Sequence, residues 1–99
     1  MDSARWNQMC VSEQILNIGG KIQRAVDRKE RNQLALARQY LDKAIEWIEL
    51  TKKDPKNINR ISEINVVEEE LRDYFADNKY GNTPKSLMSY WNSFFSAIY

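Results

Sequence analysis

The sequence predicts an all-α fold, a small bundle of four or five helices built from helix–turn–helix hairpins. Three observations carry this. Apolar residues recur at spacings of three and four along most of the chain, which is the period of one helix face. No stretch alternates apolar and polar for long enough to read as a strand. Only three glycines and two prolines punctuate 99 residues, so breaks are few and their places informative. Residues 1–99 read as a single helical domain of ordinary apolar and charged content.

Asp2 or Ser3 is a suitable N-cap for the first segment, since a short side-chain oxygen can accept from the free amides of a first turn. Ile15, Ile18, Ile22, Ala25 and Val26 continue the stripe across Gly19-Gly20. The glycine pair predicts one bent helix, or two helices meeting there, because each glycine costs about 1 kcal/mol against alanine in a helix. The run from Glu30 to Lys53 has neither glycine nor proline and reads as the second helix. Its stripe Leu34, Ala37, Leu41, Ala44, Ile45, Ile48 lies beside a second one of Leu36, Tyr40, Trp47 and Leu50. An apolar face that wide predicts a central helix touching two neighbours. Asp54-Pro55 ends it, because proline cannot continue the hydrogen-bond ladder. Asn57 is placed to cap the third helix, whose inward stripe is Ile58, Ile61, Ile64, Val67, Leu71, Tyr74 and Phe75, with Glu68, Glu69 and Glu70 facing water. Asn78 to Asn82 reads as a turn with a left-handed Gly81. Thr83-Pro84 restarts a helix, threonine as N-cap and proline in the first turn. That helix carries Leu87, Trp91, Phe94, Phe95 and Ile98, with Met88, Tyr90 and Tyr99 beside them.

Composition removes whole classes of chemistry. There is no histidine, hence no imidazole general base and no side chain whose unperturbed pKa lies near neutrality. Cys10 stands alone, without a base to make it a nucleophile, and a buried or interface thiol is expected. Glu68 to Glu70 lack the Glu-x-x-His spacing of di-metal bundles. Gly19-Gly20 falls short of a phosphate-cradling loop and suits close approach of a neighbouring helix. No catalytic residue, cofactor or metal is expected, and the chain reads as a non-enzyme. No stretch reaches the ~20 apolar residues of a membrane span. The first ten residues lack the basic-then-apolar pattern of a leader. With the lone cysteine, this points to a reducing, cytoplasmic setting.

Charge is divided along the chain. Lys21, Arg24, Arg28, Lys29, Arg31 and Arg38 meet only Asp27 and Glu30 in their segment. Glu63, Glu68, Glu69, Glu70, Asp73 and Asp77 meet only Arg72 and Lys79 in theirs. The two segments are expected to face each other across the bundle or across a dimer. Alternatively Lys21, Arg24, Arg28 and Arg31 form an anion site with Tyr40 stacking on a base. Duplex nucleic acid is disfavoured by a net charge of only +1.

The stretch Leu34-Ala35-Leu36-Ala37, followed by Leu41, Ala44 and Trp47, resembles over about sixteen residues the hairpin helix of the phage anti-CBASS cyclic-nucleotide sponge proteins. The resemblance implies a small helical homo-oligomer that sequesters a cyclic oligonucleotide without cutting it. It supplies no binding residue: where that family carries a lysine three places before a glycine, this chain has Asn17 before Gly20, and it continues well past Trp47.

The residues favour first a stoichiometric inhibitor or regulator of a partner protein, of the kind phages and mobile elements carry in counter-defence. Its interface would be the exposed aromatics Trp6, Tyr80, Tyr90, Trp91 and Tyr99, since Trp, Tyr and Arg anchor interfaces. The alternative is a homo-oligomeric sponge for a cyclic nucleotide or similar anion.

Overall fold

The chain folds as an all-α bundle in a computed structural model that describes residues 2–98, with 95, 97 and 98 described in their backbone alone. Its elements are α1 (Ser3–Asn7), α2 (Val11–Glu30), α3 (Leu34–Lys53), a 3₁₀ segment (Pro55–Arg60), α4 (Ile61–Tyr74) and α5 (Pro84–Ile98). Among the described residues there is no strand. α2 and α3 form a long hairpin, α4 lies on α3 and the 3₁₀ segment, α5 bridges α2 and α4, and α1 rests on α3. The buried apolar residues form one cluster that draws on every helix, from Trp6 to Trp91.

Asp2 caps α1 by accepting from the Arg5 amide at 2.8 Å. Of the two arrangements expected at Gly19-Gly20, a single helix spans the pair: α2 runs through both glycines, and the break before it falls at Gln8–Cys10. The reason is packing on both sides of the pair, with Ile15, Ile18, Ile22 and Ala25 all buried. The two glycines differ. A Cβ on Gly19 would meet Nε1 of Trp91 at 2.5 Å, whereas one on Gly20 would meet nothing within 4 Å. Close approach therefore explains Gly19 and, among the described residues, not Gly20. Gly20→Ala is expected to raise stability by up to about 1 kcal/mol through helix propensity. Gly19→Ala gains the same propensity but must displace the indole, an overpacking cost of roughly 1–3 kcal/mol. Denaturant midpoints moving in opposite directions for the two variants would confirm the contrast, and a matching rise in both would refute it.

The second helix starts at Leu34 rather than near Glu30. Asn32 takes φ +59°, and the amides of Asn32 and Gln33 donate back to Lys29 and Arg28 carbonyls at 3.0 and 2.8 Å. This is a Schellman ending in which asparagine does glycine's usual work. The stripe shifts with it: Leu34 is exposed while Ala37, Leu41, Ala44 and Ile48 are buried. As its width predicted, α3 touches several neighbours.

Asp54, not Asn57, caps the 3₁₀ segment, accepting from the Lys56 amide at 3.2 Å. Asn57 is buried and donates inward, to Gln14 Oε1 and the Thr51 carbonyl, each at 3.0 Å. Ile58 consequently points outward at 68% exposure, because a 3₁₀ turn does not hold the α-helical phase of the stripe.

Glu68 is buried, contrary to the outward position expected of it. It accepts from Lys52 Nζ at 2.6 Å and Arg72 Nε at 2.8 Å. Burial pushes its carboxyl up, but these two hydrogen bonds outweigh burial and hold it below the usual range. Within the bundle the basic and acidic segments do not pair: among the described residues no ion pair joins them. Their charged side chains meet the other segment at Tyr74 and Phe75, the Lys29 ammonium lying 5.7 Å from the Phe75 ring centroid. Lys29 Nζ sits 3.9 Å from the Tyr74 ring centroid and donates to the Tyr74 carbonyl at 3.2 Å. The hydroxyl of Tyr74 donates to Glu30 at 2.9 Å.

Burial, with help from the Glu30 carboxylate, pushes the Tyr74 phenol up to about 12. A raised folded pKa contributes stability that is complete below the unfolded value near 10 and lost as pH rises through about 12. The wild type should therefore lose roughly 2–3 kcal/mol more than Tyr74→Phe between pH 9 and 12, read as urea midpoints. Parallel curves for the two proteins would refute the assignment.

After α4 the chain turns through Asn78 (φ +50°) and Gly81 (φ +69°). The Asp73 carboxylate accepts from the amides of Lys79 and Tyr80. Thr83 opens α5 in a reciprocal cap with Ser86: the Ser86 amide donates to Thr83 Oγ1 at 3.1 Å, and the Thr83 amide donates to Ser86 Oγ at 2.8 Å.

Candidate functional site

The anticipated aromatic interface is not one surface. Trp6 is 0% exposed and Trp91 is also buried, so neither can anchor a partner. Trp6 turns inward because its Nε1 donates to Thr51 Oγ1 at 2.9 Å and its ring packs 5.2 Å from that of Trp47. Trp91 is drawn in by the gap that Gly19 leaves. Tyr80 and Tyr90 are exposed as expected, although the Tyr80 hydroxyl donates to Glu69 at 2.6 Å. Tyr99 and the side chains of Phe95 and Ile98 lie outside the described residues. Cys10 is exposed at the N-cap of α2, with its thiol 3.4 Å from Glu13 Oε1, rather than buried.

The basic residues assemble better. Lys21, Arg24 and Arg28 follow one another at three and four residues on α2, which puts them on one face. Tyr40 and Trp47, seven residues apart on α3, share a face two turns long. The hairpin sets these two faces side by side. The ammonium of Lys21 lies 5.6 Å from the Tyr40 ring centroid and 5.4 Å from that of Trp47, a double cation–π arrangement. Arg28 donates from Nη1 to Gln33 Oε1 at 3.0 Å. Arg31 stands apart, turned to Asp27 at 3.4 Å in an exposed pair of the kind that contributes little.

Electrostatically this strip is one-sided. Among the described residues no carboxylate lies within ion-pair distance of Lys21, Arg24 or Arg28. Arg28 Nε and Trp47 Nε1 are buried donors without an acceptor, so the seam between the helices holds more donors than acceptors. Positive charge and flat rings together are the chemistry that can hold an anion. Trp47 is the member that sequence reasoning missed. Its spacing from Tyr40 was the available signal, but its place beside Lys21 depends on the hairpin register.

Among the described residues no three histidine, cysteine, aspartate or glutamate side chains gather as a metal set, and no helix is long and apolar enough to cross a membrane. The chain matches no protein-family model, no curated protein and no solved structure.

Proposed function

We propose that this chain is a non-enzymatic helical binding protein, a stoichiometric inhibitor or regulator that holds an acidic surface of a partner protein on its α2–α3 strip. The observation that carries this is the set of three cations without carboxylate partners, Lys21, Arg24 and Arg28, next to Tyr40 and Trp47. Arginine and large aromatics are the residues that concentrate binding energy at interfaces. A counter-defence role of the phage kind is compatible with such a binder. In capture from a lysate of the native host, Lys21→Glu/Arg24→Glu should lose a partner that wild type and Tyr90→Ala both retain. Equal capture by all three would remove the strip from the reading.

A second reading is supported by one particular contact, the single ammonium shared by two rings. Aromatic faces beside cations suit a base with its phosphates, as in a sponge for cyclic oligonucleotides. Calorimetric titration with cyclic di- and trinucleotides tests it. Micromolar binding that Arg24→Ala/Arg28→Ala abolishes would support it, and absence of heat across the panel would eliminate it.

A further inference from the structure

Among the described residues nothing packs against Gly20 closely enough to require a glycine there. It sits mid-helix, exposed, and a side chain there would meet only open space, yet glycine weakens a helix by about 1 kcal/mol against alanine. One turn earlier Leu16 is 66% exposed. The two line a groove of about 250 Å³ between α2 and α5, walled by Gln23, Met88 and Trp91.

Glu13, Leu16, Gly20, Arg24, Asp27 and Arg31 are all exposed, and their spacing of three and four residues puts them on one side of α2. That side carries a carboxylate near its start and a guanidinium just past its end. It is self-complementary when two such helices run antiparallel. Glu13 and Arg31 lie equally far from the level of residue 22, and so do Gly20 and Arg24.

We propose that a second copy of this chain covers this face, α2 against α2, about a two-fold axis at the level of residue 22. Glu13 then pairs with Arg31 of the partner subunit, twice by symmetry, and Arg31 shares or gives up its exposed 3.4 Å contact with Asp27 to do so. The hydrocarbon stem of the partner subunit's Arg24 crosses the bare backbone at Gly20, and Leu16 is buried against such stems. The outer face of α2 would thus be the seam, leaving the Lys21–Tyr40–Trp47 side of the hairpin open. Arg24 belongs to both surfaces, so the seam is tested through Glu13, Gly20 and Arg31, none of which lies on the Lys21–Arg28–Tyr40–Trp47 side.

Sedimentation equilibrium of the full chain at low salt tests this, with variants checked by circular dichroism for an intact fold. Wild type should be a reversible dimer. Glu13→Arg and Arg31→Glu should each weaken it about tenfold or more, since like charges then meet twice, and the combined exchange should restore it. Gly20→Leu should abolish the dimer while leaving the helical melt no less stable. A wild type that stays monomeric into the hundreds of micromolar overturns the proposal. So does an oligomer indifferent to Glu13, Gly20 and Arg31, which would be joined elsewhere.

Discussion

Trp6→Ala should be the most damaging single change in the protein, lowering stability by about 3–5 kcal/mol. A domain of this size has a total of roughly 5–15 kcal/mol, so the variant should be partly unfolded at 37 °C. α1 is five residues long, far too short to persist by itself. What keeps it in place is the buried indole, stacked on Trp47 and donating to Thr51 Oγ1. Thr51 Oγ1 donates in turn to the Trp47 carbonyl at 2.7 Å, so truncation removes both apolar contact and one link of a hydrogen-bond chain. Trp6→Phe keeps the stack and loses the bond, and should cost markedly less than alanine. Urea unfolding of the three proteins checks this. A loss under about 1 kcal/mol for Trp6→Ala would mean that α1 does not dock in solution.

Gln14→Leu should come next, at about 3 kcal/mol, although the replacement is apolar and of similar volume. Gln14 is buried completely. Its Nε2 donates to the Trp6 carbonyl at 3.0 Å and to Asp54 Oδ2 at 2.8 Å, while its Oε1 accepts from Asn57. Leucine would take one hydrogen bond from each of these three partners in a corner closed to water. Burial pushes the Asp54 carboxyl up, but hydrogen bonds from Lys56 and Gln14 hold it below its ordinary range. Removing the glutamine therefore also takes away stability that is present at neutral pH and lost in acid, so the gap between wild type and Gln14→Leu should narrow as Asp54 is protonated. Gln14→Glu separates the effects, because it sets one carboxylate against another. It should be more stable at pH 4.5 than at pH 7 relative to wild type, since protonation restores a donor toward Asp54. A pH-independent difference between Gln14→Glu and wild type would show that the two side chains do not meet.

Much of the fold was legible in the residues, and the failures have physical causes. Proline at 55 and the Thr83-Pro84 pair mark their boundaries because proline's missing N–H and fixed φ act locally. The turn at Asn32 is hidden in the sequence because it uses an asparagine in a left-handed conformation where a glycine would have announced itself. The glycine pair leaves two arrangements open in the sequence, and tertiary packing decides between them, with Trp91 of α5 closing on Gly19. Glu68 is masked within three consecutive glutamates, although its offset of four from Ile64 and three from Leu71 puts it on the inward face. Only the contacts from Lys52 and Arg72 make its burial tolerable.

The site was half legible. Helical spacing collects the cations of α2, and Tyr40 does lie beside them. No spacing rule distinguishes an aromatic that faces a partner from one that fills a core, which is why Trp6 and Trp91 turn out buried rather than exposed. Trp47 joins Lys21 only once the length of the connection between α2 and α3 is known.

The three indoles also equip the protein with its own optical probes. Trp6 and Trp47 form a close pair at the α1 end of the hairpin, near enough for their excited states to couple. Trp91 stands separately on α5, against the backbone at Gly19. Near-ultraviolet dichroism from the pair and emission from a Trp91-only background would report the undocking of α1 and the lifting of α5 as two distinguishable signals, with no dye attached.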